Sequence, residues 1–81
     1  MDYYVYVIRS EGYNSNYVGS TNDIEKRLSE HNAGKCRYTS GRRPWVLVYK
    51  ESYPTRSEAM KREKFLKSGQ GRKFLKEQLT I

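Results

Sequence analysis

Three ionisable side chains, Arg27, His31 and Glu63, sit at helical positions where chemistry could be done, and two tyrosines, Tyr6 and Tyr17, stand out because a hairpin register pairs them. His31 is the sole histidine, and its unperturbed pKa lies near neutrality, so it is the candidate proton carrier. Arg27 and Glu63 are charged groups where helical packing would want leucine. Ile24, Arg27, Leu28 and His31 run at i, i+3, i+4, i+7, and Ala59, Arg62, Glu63 and Leu66 repeat that spacing. Burying a charge is costly unless it is paired or meets a ligand. Either Arg27, His31 and Glu63 converge on a cleft beside a sheet, or Arg27 and Glu63 pair with each other, or the stripe edges are solvated. Ser40 and Ser68 have no base arranged near them. Cys36 has no motif around it that would make it a nucleophile.

These groups need a scaffold, and the sequence spells one. Tyr3-Tyr4-Val5-Tyr6-Val7-Ile8 is a β-branched and aromatic run that reads as a strand. The turn-rich segment 10–16 separates it from a second short strand, Asn16-Tyr17-Val18-Gly19, so a hairpin is the economical connection. With the hairpin centre near Glu11–Gly12, Tyr6 falls opposite Tyr17, on the same face. Asn22, with Glu25 three residues on, signals a helix start, and that helix runs to about Asn32 with Gly34 as its stop. A basic loop, Lys35 to Arg43, leads through Pro44 to a third strand, Trp45–Tyr49. Thr55-Arg56-Ser57-Glu58 is a capping box opening a second helix, and Gly69-Gln70-Gly71 is expected to break it before a last amphipathic helix, Arg72–Leu79. The order β-β-α-β-α-α predicts one α+β domain over residues 1–81, a three-stranded sheet flanked by helices.

Composition narrows the function classes. The chain has 81 residues, one cysteine and a formal net charge of +7. A single cysteine excludes an internal disulfide framework and a cysteine-based zinc cluster, and a reducing, cytoplasmic setting is expected. No apolar stretch approaches a membrane span, and Met1-Asp2 opens no signal-peptide pattern. The charge is asymmetric. Residues 1–25 hold Arg9 against four carboxylates, whereas residues 26–81 hold fifteen Lys/Arg against five Glu. Such a field attracts polyanions, above all nucleic acid. Lys35, Arg37, Arg42 and Arg43 in the loop, and Lys67, Arg72 and Lys73 toward the C-terminus, are the candidate nucleic-acid contacts. Tyr38 and Trp45 beside them could stack exposed bases or simply anchor the loop.

Tyr4-Val5-Tyr6, a gap of ten residues and Tyr17-Val18-Gly19 resemble the two half-motifs of the GIY-YIG nuclease family. Gly19-Ser20-Thr21, Arg27 and His31 follow at the family's spacing. Arg62-Glu63 with Phe65-Leu66-Lys67 resembles its metal-binding segment, and the Tyr38-Thr39, Arg43-Pro44 and Leu47-Val48-Tyr49 stretches resemble its small single-domain bacterial branch. That family includes homing endonucleases, some restriction enzymes and the excision-repair subunit that incises damaged DNA. The resemblance implies a three-stranded antiparallel sheet and hydrolysis of phosphodiester bonds with one divalent metal, Mg²⁺ or Mn²⁺. It implies that Glu63 holds the metal and Arg27 contacts the scissile phosphate. Tyr6 or Tyr17 would activate or orient the attacking water, with His31 assisting. It also makes nucleic acid, above all single-stranded or branched DNA, the expected partner.

Those residue types suit that reaction. In-line attack builds negative charge on phosphate and leaving group, which Arg27 and a metal would stabilise. A tyrosine is a poor base at neutral pH, and an electropositive cleft is expected to lower its pKa. Two features depart from the family pattern: Tyr4 stands where the first half-motif has glycine, and no asparagine follows Asn32 although many members carry one late in the domain. The competing reading is a nucleic-acid-binding module that kept the fold and lost the activity. A weaker third is a small basic protein docking on RNA or the ribosome.

Overall fold

The computed structural model describes residues 2–79. Three antiparallel strands, β1 (Tyr3–Ser10), β2 (Asn16–Thr21) and β3 (Trp45–Tyr53), form one sheet in the order β2-β1-β3. The helices are α1 (Ile24–Asn32), α2 (Arg56–Leu66) and α3 (Gly69–Leu79), and a short 3₁₀ turn spans Ser40–Arg42. This is the α+β architecture expected. None of the described helices is long and apolar enough to cross a membrane.

The central strand explains the layering. Val5, Tyr6, Val7 and Ile8 are consecutive, so they alternate between faces, yet all four are buried. Both faces must therefore be covered. Val5 and Val7 pack with Ala59, Leu66 and Leu75 of α2 and α3. Tyr6 and Ile8 pack with Trp45, Tyr17 and the Ile24 and Leu28 side chains of α1. Helices thus lie on both sides of the sheet, with β2 as one free edge.

The hairpin register differs from the expectation by one position at its centre. Gly19, not Tyr17, is the partner of Tyr6, and Tyr17 lies opposite Ile8. Turn chemistry sets this: Ser10 N–H donates to the Ser15 carbonyl (3.0 Å), and Ser10 Oγ accepts from Tyr13 N (3.1 Å). A one-residue move of the centre shifts partners by two, which preserves the face. Tyr6 and Tyr17 remain diagonal neighbours, ring centroids 6.4 Å apart. The register also explains the glycine. A Cβ on Gly19 would stand 2.5 Å from the Tyr6 hydroxyl.

The helix ends follow local capping. Asp23, rather than Asn22, caps α1 by accepting from Lys26 N (3.1 Å), because the Thr21 hydroxyl receives the Asp23 N–H and turns that residue inward. Gly34 stops the helix at φ +80°, the left-handed region glycine favours. Thr55 caps α2 as the capping box requires. Gly69-Gln70-Gly71 does not break a helix; it opens α3. The break falls at Lys67–Ser68, where Ser68 Oγ accepts from Gly71 N (3.2 Å). Gly71 lets the helices touch, since a Cβ there would run into the Phe65 carbonyl oxygen. Strand β3 runs four residues past Tyr49, because its pairing with β1 continues to Tyr3 opposite Tyr53, past an irregularity between Val7 and Ile8.

Candidate functional site

The site begins with a buried hydrogen-bonded chain on the α1 side of the sheet. His31, on the last turn of α1, is fully buried. Its Nε2 is 2.9 Å from the Tyr6 hydroxyl and its Nδ1 is 2.8 Å from Thr39 Oγ1. Thr39 is also fully buried, and its hydroxyl donates to the Cys36 carbonyl (3.3 Å). The Tyr17 ring stands edge-on to His31, centroids 5.0 Å apart, and also neighbours the exposed Tyr38 ring at 5.6 Å. So Tyr6, Tyr17 and His31 are brought together, and the surroundings keep the imidazole neutral. Burial and the Arg27 charge hold the His31 pKa below its ordinary value, against a smaller opposing effect of Glu30.

Tyr6 departs from expectation. Burial pushes its pKa up to about 12, although the nearby Arg27 guanidinium pulls the other way. Desolvation outweighs the nearby cation, so the cleft does not lower this pKa. Tyr6 is a phenol at neutral pH, and its proton needs an acceptor before its oxygen can serve as a base. Arg27 forms an ion pair with Glu30 (3.1 Å) and not with Glu63. The nearby Tyr6 hydroxyl and that pair hold the guanidinium firmly charged, despite the cost of burial.

Glu63 lies apart from this cluster. Ser20 is opposite Val5 and so points to the α2 side, where its hydroxyl donates to Glu63 Oε1 (2.6 Å). Glu63 Oε2 accepts from Lys67 Nζ (2.7 Å). Lys67 also lies over the Tyr17 ring, 5.9 Å from its centroid. Tyr17 faces the α1 side, so Lys67 links the two halves of the site around the β2 edge. Among the described residues no group of three or more His, Cys, Asp and Glu could hold a metal. One carboxylate with a hydroxyl beside it nonetheless suits a hard divalent ion that keeps most of its waters. The ammonium already occupies a cation position on Glu63, and as a half-exposed i,i+4 partner it is weakly held. Glu63 and Ser20 are hard oxygen donors of the kind a divalent ion takes.

A groove of about 880 Å³ runs along the same edge. Four cations line it, Arg9, Lys67, Arg72 and Lys76, with the rings of Tyr17 and Tyr38 and an apolar floor that includes Leu66 and Leu75; none of the lining residues is acidic. Of the sequence-selected basic residues, Lys67 and Arg72 line this groove. Lys35, Arg37, Arg42, Arg43 and Lys73 are exposed outside it. Arg42 donates to Ser15 Oγ (3.3 Å), and Arg43 is committed to the carbonyls of Ser40 and Asn32. Trp45 is buried, donating through Nε1 to the Thr39 carbonyl, so it anchors the loop and offers no stacking face. Sequence reasoning missed Arg9, Lys76, Ser20 and Thr39. For Ser20 the signal was available, since strand parity with Val18 places it on the opposite face from Tyr17. For the others only the tertiary fold supplies the meeting.

Arg62, the neighbour of Glu63, serves the core. It forms a two-pronged pair with Glu51 (2.9 and 3.1 Å) while lying over the rings of Phe65 and Phe74. Burial would raise the Glu51 pKa, but Arg62 and the hydroxyls of Tyr49 and Tyr53 hold it below the ordinary carboxylate value.

A family model described as the GIY-YIG catalytic domain matches residues 2–76. A UPF0213 protein of Staphylococcus haemolyticus is 48% identical over 67 residues, covering 82% of this chain and 80% of that protein. One from Staphylococcus saprophyticus is 44% identical over 75 residues, covering 91% and 90%. The solution NMR structure of a UPF0213 protein from Bacillus halodurans superposes with a TM-score of 0.55 at 36% identity, covering 93% of this chain and 82% of that one.

Proposed function

Because the chain belongs to the GIY-YIG catalytic domain family, whose members are nuclease-type proteins, we propose that it is a metal-dependent nuclease acting on DNA, single-stranded or branched. The observation that carries the reading is the Tyr6–His31 hydrogen bond beside Arg27, next to a groove lined by cations. Arg27 binds the scissile phosphate. A water placed between Tyr6 and the phosphorus gives its proton to Tyr6 Oη as the hydroxyl proton passes to His31 Nε2. The water oxygen bonds to phosphorus, the ester P–O bond breaks, and the departing oxygen takes a proton from solvent. Neutral His31 is the acceptor that a phenol of pKa about 12 lacks on its own. Tyr17 orients the water from the groove side. Glu63 would hold Mg²⁺ or Mn²⁺, which neutralises charge developing on the phosphate. Arg9, Lys67, Arg72 and Lys76 hold the flanking phosphates, and Tyr38 offers a ring for an unstacked base.

A second reading, a binding module without activity, is favoured by one fact: both Glu63 oxygens already have partners, Ser20 and Lys67. One experiment separates the two. Labelled single-stranded, duplex and branched DNA and RNA are incubated with Mg²⁺, Mn²⁺ or EDTA, beside Glu63→Ala and Arg27→Ala proteins. Cleavage that needs metal and vanishes in both variants is expected. Salt-sensitive binding without cleavage on any substrate would establish the module instead.

A further inference from the structure

We infer that Thr39 is a positioning residue: its buried hydroxyl fixes His31 in the form that carries its proton on Nδ1, leaving the Nε2 lone pair aimed at Tyr6. The assignment follows from counting donors. Arg27 lies near this hydroxyl and has only donors, so it cannot receive the Tyr6 proton. That hydroxyl is buried, and among the described residues its acceptor is His31 Nε2, 2.9 Å away. Were Nε2 protonated, two protons would meet between it and the Tyr6 oxygen, and the buried hydroxyl proton would have no acceptor. Nε2 must therefore be bare, and Nδ1 carries the hydrogen.

Nδ1–H then requires an acceptor, and Thr39 Oγ1 at 2.8 Å supplies it. Thr39 can accept there because its own proton goes to the Cys36 carbonyl. The hydroxyl itself is held by the loop. Trp45 Nε1 bonds the Thr39 carbonyl (2.9 Å) and Thr39 N donates to Cys36 O (3.2 Å). The order of donation runs Tyr6 to His31 to Thr39 to Cys36, and it leaves His31 ready to receive a proton at the atom facing Tyr6. The consequence for catalysis rests on the proposed nuclease reading; the tautomer does not.

The test exploits His31 being the sole histidine. In a two-bond ¹H–¹⁵N spectrum of the labelled protein, its two nitrogens are read without assignment ambiguity, and no substrate is needed. The expected result is a protonated Nδ1 and a bare Nε2 at neutral pH. Thr39→Val, checked for a dispersed amide spectrum, should populate the other tautomer and lose about 10²-fold in cleavage rate, within the usual worth of a positioned base. Thr39→Ser should keep the wild-type tautomer and restore cleavage. A protonated Nε2 in the wild type overturns the inference. So does a folded Thr39→Val protein that keeps both the tautomer and the rate. If Thr39→Val does not fold, the wild-type tautomer and Thr39→Ser decide the matter, Thr39→Ser refuting it by switching tautomer. Absence of cleavage on every substrate would sink the nuclease reading while leaving the spectrum to judge Thr39.

Discussion

Replacing Lys67 by alanine should move two affinities in opposite directions. In the free protein the Lys67 ammonium sits on Glu63 Oε2 at 2.7 Å, the position a metal ion would need. The pair is an i,i+4 contact with the lysine side chain 49% exposed, so its worth is that of a surface pair, about 0.3–0.5 kcal/mol. A divalent ion must displace it, and removing the competitor should tighten metal binding by about twofold, since about 1.4 kcal/mol corresponds to tenfold. Lys67 also lines the groove. Losing one phosphate contact should weaken nucleic-acid binding and reduce the slope of log affinity against log salt by about 1. Calorimetry with Mn²⁺ on the free protein reads the first effect, and fluorescence anisotropy of a labelled strand over a salt series reads the second. Weaker metal binding in Lys67→Ala would refute the competition. An unchanged salt slope would remove Lys67 from the groove contacts.

Three further outcomes follow from particular atoms. Gly19→Ala places a Cβ 2.5 Å from the Tyr6 hydroxyl, so it should cost about 1–3 kcal/mol and lower the melting temperature by roughly 4 °C or more, visible by circular dichroism. Cleavage should fall by more than this loss of stability explains, because the clash moves Tyr6 off His31. Gly71→Ala drives a Cβ onto the backbone at Phe65 and Leu66, and should destabilise the fold at least as strongly, with the loss seen in urea midpoint. Stability should also fall with acid: His31 is held below its unfolded pKa of about 6.5, so the unfolded chain binds the proton first as pH drops below that value. Denaturation midpoints measured from pH 7 to pH 5 should decline in the wild type and decline less in His31→Gln.

The fold was legible because its signals are local and periodic. The aromatic and β-branched run of β1, the Thr55 capping box and Gly34 each declare an element within a few residues. What failed were contests between adjacent candidates. Asn22 and Asp23 both suit a cap, and only Thr21 decides between them. Gly69-Gln70-Gly71 looks like a break, but it opens α3 and Gly71 permits a close helix contact. The hairpin centre slipped by one residue because Ser10 and Ser15 close the loop. For the site, resemblance supplied the residue set, and strand parity alone put Tyr6 and Tyr17 on one face. The partners of His31 and Glu63 were not legible. Thr39 reaches His31 through a loop whose path depends on Trp45, and Ser20 reaches Glu63 across forty-three positions of sequence. The direction of the Tyr6 pKa also needed burial, which no count of nearby cations supplies.

The most direct test of the hydrolytic site is single-turnover cleavage of labelled single-stranded DNA by Tyr6→Phe, with binding of the same strand measured in parallel. The phenyl ring preserves the packing against Ile8 and Trp45 and removes only the hydroxyl bonded to His31. Strand affinity should stay unchanged while the cleavage rate falls by about 10²-fold or more. Cleavage at the wild-type rate by a folded Tyr6→Phe protein would contradict it.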